Sequence, residues 1–109
     1  MKDIKKPCPV QTTLSLIADK WKVLIIYTLI DGPKRPTQIK KYLGDISHKV
    51  LTENLRALER DKLVVRTIFP EVPLHVEYSL TKHGENLVPL LNSMYEWGNN
   101  YLSHFDKLQ

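Results

Sequence analysis

Residues 69–78 read FPEVPLHVEY, between two apolar, β-branched runs at 63–69 and 76–80. A minimal hairpin closes with about two residues, usually Asn-Gly or another glycine-containing pair. Here six residues intervene, Pro70 and Pro73 among them, so the spacing predicts two strands joined by a stiff tip that projects from the sheet. In the second run Val76, Tyr78 and Leu80 alternate with Glu77 and Ser79, the period of a strand packed on one face and wet on the other.

Upstream of the hairpin, Ser47 is a natural N-cap for a helix running to about Lys62. At 100° per residue Leu51, Leu55 and Leu58 form one narrow stripe, with Lys49, Glu53, Arg56 and Arg60 opposite and Thr52 beside them. Pro36 to Leu43 predicts a shorter helix with Ile39, Tyr42 and Leu43 inward, closed by Gly44. Two short helices a few residues apart, followed directly by a long-tipped hairpin, is the order of a winged helix-turn-helix. Earlier still, Trp21 to Ile30 is apolar on nearly every side and reads as a helix buried on both faces, stopped by Asp31, Gly32 and Pro33. Val10, Leu14 and Ile17 after Pro9 predict a first helix.

Downstream, Thr81 should cap a long helix from about Lys82 to Phe105, striped by Leu87, Leu90, Leu91, Met94, Tyr101 and Phe105, with Trp97 and Leu102 at the margins. Pro89 should kink it or mark a late start. Gly98 either admits a closely crossing partner helix or, with Asn99 and Asn100, ends this one. In a monomer Trp97, Tyr101, Leu102 and Phe105 would stay wet, and burying each aromatic stabilises by about 1.5–3 kcal/mol. A homodimer paired through the first and last helices is therefore expected, with Leu14, Leu90, Met94, Trp97, Gly98, Tyr101 and Phe105 at the interface.

The fold class that follows is mainly α with a small β-hairpin, a winged helix-turn-helix with extra N- and C-terminal helices. One domain is expected over 1–109: an N-terminal arm and first helix (1–20), a winged-helix core (21–80) and a C-terminal dimerisation helix (81–109). With 42% hydrophobic and 26% charged residues, the chain has an ordinary globular composition. The longest apolar stretch, Val23 to Ile30 with one Thr, is too short to span a bilayer, and the lysines near the N-terminus precede no apolar run. The single cysteine, Cys8, excludes an intrachain disulfide and fits a reducing compartment, so the chain reads as soluble and cytoplasmic.

Charge is unevenly spread. Residues 34–82 carry ten Lys or Arg against six acids, whereas residues 83–109 carry one Lys against three acids. A basic middle is a weak sign of a polyanion partner, since a solvated face gives the same count. The helix after Ser47 adds chemistry: Lys and Arg reach guanine acceptors or phosphates, Thr meets a thymine methyl, and a carboxylate accepts from cytosine N4. The residues expected at the groove are Ser47, His48, Lys49, Thr52, Glu53 and Arg56, with Arg35 and Thr37 on phosphates and His75 in the wing. His48, His75, His83 and His104 show no metal-ligand spacing, and no nucleophile motif, phosphate loop or acid pair stands out. Neither an enzyme nor a cofactor is expected.

Three stretches carry a resemblance: CPVQTTLSLIADKWKVLIIYTLIDGPKR (8–35), ISHKVLTENLRALERDKLVVRTIFPEVPLHVEYSLTKHG (46–84) and YEWG (95–98). They closely resemble the HxlR family of bacterial winged-helix transcription regulators, relatives of the MarR group. The resemblance implies a dimer on a palindromic double-stranded operator, acting as repressor or activator; two-fold symmetry would set the recognition helices about 34 Å apart. Several members sense oxidants or electrophiles through a cysteine at the position of Cys8; here Lys5, Lys6 and a helix start lie nearby, features that activate a thiol. An oxidant or electrophile is the input this implies; a second alternative, compatible with DNA binding, is a small-molecule receptor that acts through a pocket between the last helix and the core. Three positions depart from the pattern: His75 replaces a common wing Arg, Pro36 a common aromatic, and Ala18-Asp19 a common Gly-Gly. The rival function is a winged-helix module that docks on protein without binding DNA.

Overall fold

The computed structural model describes residues 8–107. In chain order it contains α1 (Pro9–Ile17), α2 (Lys22–Thr28), α3 (Pro36–Leu43), α4 (His48–Arg60), β1 (Val64–Phe69), β2 (His75–Leu80) and α5 (Lys82–Lys107). The strands pair antiparallel in the register Val64 with Leu80 through Phe69 with His75. The winged helix-turn-helix read from the order of elements is the architecture observed, and the projecting tip is residues 70–74, with the Val72–Pro73 peptide cis.

Each helix end has a local cause. Pro36 stands at N1 of α3, where its fixed φ suits the helix and its missing N–H costs nothing. The Gln38 side chain accepts from the Arg35 N–H at 2.8 Å and so secures the same helix start. Ser47 caps α4, its Oγ accepting from Val50 N at 3.1 Å. At the other end Lys62 adopts φ 62°, while Lys62 N donates to Glu59 O and Leu63 N to Leu58 O. That is a Schellman closure with lysine where glycine is commoner, sealed by the buried pair Leu58 and Leu63. The Ala18-Asp19 departure is absorbed by chemistry of its own, since Asp19 Oδ1 accepts from Trp21 N at 2.8 Å and closes the turn into α2.

The core sits where α2, α3, α4 and the hairpin base converge. Ile25, Ile26, Ile39, Leu51, Leu55, Leu58, Val64 and Tyr78 are buried in it, joined by Ile17 of α1 and Leu91 of α5. Lys34 extends the sheet by one residue on the free edge of β2: its N–H donates to Tyr78 O and its carbonyl accepts from Tyr78 N, at 2.9 and 2.8 Å. Burial pushes the Tyr78 phenol above its ordinary range, while the charges of Arg66 and Arg56 pull it down and that of Glu59 pushes it up. Nearby, a hydrogen bond and the charge of Lys34, 2.8 Å away, hold the Asp31 carboxyl below its usual value.

Several expectations need correction. Helix α2 is shorter than Trp21 to Ile30 but is covered on both sides: Ile25, Ile26 and Thr28 are buried and Val23 and Tyr27 half-buried, with Leu24 alone exposed within the helix and Ile30 exposed beyond its end. Tyr42 was expected inward but is 78% exposed; Ile39 and Leu43 suffice to seat so short a helix. Helix α5 starts at Lys82 and continues unbroken through Pro89 and past Gly98, so neither the late start nor the stop at Gly98 occurs. Thr81 caps it as expected: Gly84 N donates to Thr81 Oγ1 at 3.2 Å, and that hydroxyl donates to Lys62 O at 2.6 Å.

Candidate nucleic-acid interface

Helix α4 divides cleanly. Leu51, Asn54, Leu55 and Leu58 face the core, and His48, Lys49, Thr52, Glu53, Arg56 and Arg60 face solvent. Positions 49, 52, 53 and 56 are spaced i, i+3, i+4 and i+7, so their side chains share one surface. Asn54 was missed as a core residue; its Nδ2 donates to Val50 O at 2.9 Å, an internal partner that makes its burial tolerable. Arg35 and Thr37, at the start of α3, are exposed, as is the capping Ser47. Eight of the nine residues expected at DNA thus present their side chains to water, on α4 and the start of α3, beside a projecting hairpin.

The ninth does not. His75 lies where the tip joins the strands, paired with Phe69 across the hairpin, and its side chain is 12% exposed. Its Nδ1 is 3.3 Å from Arg35 Nη2 and 3.5 Å from Glu71 Oε2, and Nε2 is 2.7 Å from Glu77 Oε2. The last is a charge contact, for Nε2 finds no aligned hydrogen-bond partner. The Phe69 ring stacks obliquely on the imidazole at 4.7 Å. A direct wing contact from His75 is therefore corrected: strand pairing turns the ring toward Arg35. The tip itself carries Glu71 and the exposed Val72 and Leu74 but no cation.

With helix-turn-helix, wing and a long terminal helix in place, residues 16–106 match the HxlR-like helix-turn-helix family. The chain belongs to that family. Among similar HxlR-like proteins, the HTH-type transcriptional regulator YdeP of Bacillus subtilis is 45% identical over 102 residues, covering 94% of this chain and 80% of YdeP. The redox regulator HypR in its reduced form superposes with a TM-score of 0.85 at 39% identity, covering 91% of this chain and 98% of HypR. Reduced YodB, a transcriptional regulator of B. subtilis, gives a TM-score of 0.79 at 38% identity, covering 86% and 93%; it is also known in diamide-treated and quinone-bound forms.

Two further regions of this HxlR-like chain bear on function. Cys8 is half-buried and is the N-cap residue of α1, its carbonyl accepting from Thr12 N at 2.9 Å. Lys5 and Lys6, invoked above as its activators, lie outside the described residues. On α5, Leu90, Met94, Trp97, Tyr101 and Phe105 are all exposed, as is Leu14 on α1. Trp97, Tyr101 and Phe105 form a stacked ladder with centroids 5.3 and 6.1 Å apart. A Cβ built on Gly98 would meet nothing within 4 Å. Val10, Thr13, Leu14, Ile17, Leu90 and Met94 line an apolar groove of about 230 Å³ between the two helices. A second cleft of about 400 Å³ separates the starts of α5 and β1 from α1, with Leu16, Leu63, Leu87, Asp61, His83 and Asn86 along it.

Proposed function

We propose that the chain is a dimeric, sequence-specific DNA-binding transcription regulator of the HxlR type. The observation that carries this reading is the solvent-facing row Lys49, Thr52, Glu53 and Arg56 on α4, flanked by Arg35 and Thr37 and by the hairpin. In the major groove the N-terminal half of such a helix reads base edges, while Arg35 and Thr37 meet phosphates across the helix-turn-helix. Since the tip holds no cation, the wing contributes shape and apolar contact more than charge.

Surface area supports pairing. The chain exposes 8436 Å². A compact monomer of 12.7 kDa would expose only about 6200 Å². Its radius of gyration is 16.4 Å, against about 13 Å for a compact chain of this length. Counted over two copies, an excess of this size falls within the roughly 2000–5000 Å² in total that a permanent homodimer buries. Leu14 on α1 and Leu90, Met94, Trp97, Tyr101 and Phe105 on α5 contribute exposed apolar surface to it.

The test is the salt dependence of binding to mixed genomic DNA. Each phosphate neutralised lowers log K against log salt by about 0.9, so a steep fall with added salt is expected. Absence of binding at low salt would overturn the reading in favour of a protein-docking module. A second reading, that Cys8 reports oxidants or electrophiles, is favoured by likeness to HypR and YodB. Mass spectrometry after mild diamide should find Cys8 modified and DNA affinity altered; an untouched thiol with unchanged affinity would end it. The cleft at Leu16, Leu63 and His83 offers room for a small-molecule effector between the last helix and the core.

A further inference from the structure

We infer that His75 is a positioning residue coupling the wing to Arg35, and that Arg35 and Glu71 compete for its Nδ1, so that the wing's hold on α3 follows the proton on that nitrogen. The inference deepens the reading of Arg35 as a phosphate contact and rests on it for its functional meaning.

The geometry sets opposite demands on one atom. Arg35 Nη2 lies 3.3 Å from Nδ1, and a guanidinium only donates, so this contact is a hydrogen bond only while Nδ1 is bare. Glu71 Oε2 lies 3.5 Å from the same Nδ1, and a carboxylate only accepts, so it is served only when Nδ1 carries a proton. Glu77 Oε2 lies 2.7 Å from Nε2 but out of line for a hydrogen bond, so it acts on the ring by its charge; it is the Arg35 contact that requires a bare Nδ1 and so puts the neutral ring's proton on Nε2.

A proton taken from water onto Nδ1 therefore breaks the Arg35 hydrogen bond and sets a like charge beside the guanidinium. It also gives Glu71 a charged partner. Because Glu71 belongs to the tip and Arg35 to the head of α3, the exchange draws the tip toward His75 and releases the arginine. The groups facing the ring are Glu77 of β2, Glu71 of the tip and Arg35; β1 contributes the uncharged Phe69 ring.

The test is nuclear magnetic resonance of the full chain without DNA, across the range in which imidazoles change charge, about pH 8 to 5. At the high end the His75 ring should be the Nε2–H tautomer, and the Arg35 side-chain N–H signals should shift and exchange faster as the ring gains its proton. His75→Asn supplies an amide oxygen for Arg35 that does not titrate, so the Arg35 signals should then stay fixed. Glu71→Gln removes the competing charge and should move the Arg35 transition to lower pH; because Glu71 is 59% exposed, this variant carries the test if His75→Asn fails to fold. An Nδ1–H tautomer at high pH, or Arg35 signals that ignore the ring, would overturn the inference. Since no DNA is present, failure of the DNA-binding reading is a separate result.

Discussion

Lys49 and Arg56 stand on the outer face of α4 and, among the described residues, form no hydrogen bond or ion pair that their loss would break. Replacing either by Ala should cost operator binding about 1–3 kcal/mol, a factor of roughly 5 to 150. Surface changes of this kind alter stability by about 0.5 kcal/mol or less, so melting temperatures should hold. Titration calorimetry and thermal melts on the same samples check both halves, and unchanged affinity in both variants would contradict the assignment. Tyr78 makes a different prediction, from its raised phenol. In the unfolded chain the phenol ionises near its ordinary value of 10.0, whereas the folded chain keeps the proton longer. Stability is thus intact below about pH 10 and falls as pH rises through the folded value. Tyr78→Phe should show a shallower alkaline loss of melting temperature than the parent; parallel curves would refute the burial effect. Of the single residues, the solvent-facing set on α4 was legible because helical period alone decides which side chains face out. His75 was not, since its surroundings depend on strand register and on Arg35, 40 positions away in sequence.

Among the elements, the junction of α5 with the base of the hairpin determines how the last helix meets the winged helix-turn-helix. Thr81 N and Oγ1 bind the carbonyls of Leu63 and Lys62, and Gly84 lies so close that a Cβ there would collide with the Leu63 carbonyl oxygen. In a free helix Gly→Ala gains about 1 kcal/mol. Here backbone must move to admit the methyl, and such overpacking costs about 1–3 kcal/mol, so the clash wins. Gly84→Ala should lower the melting temperature by several degrees, at about 4–8 °C per kcal/mol, in differential scanning calorimetry. A rise would show that α5 is not seated there. Element identities and caps were legible, because Ser47, Thr81, Pro9, Pro36 and Gly44 act within a turn of the chain. The limits of α2 and the inward turn expected of Tyr42 were not: both depend on which neighbour covers a face, and period cannot say. Gly98 looked like a stop and Pro89 like a kink or a late start, yet α5 begins at Lys82 and runs on through both.

For the whole molecule, an elongated subunit of 55 × 38 × 24 Å with its aromatic ladder in water is half of a larger object on this account. The winged helix-turn-helix was readable from the order of elements, and residues 16–106 match the family. The pairing proposed above was readable only as excess apolar surface, because symmetry is a property of no single chain. The decisive measurement is hydroxyl-radical footprinting on the DNA beside the chain's own gene. Two protected patches on one face of the duplex, about 10–10.5 base pairs apart centre to centre, are predicted. A single patch, or none at low salt, would contradict a dimer that sets two α4 helices into successive major grooves.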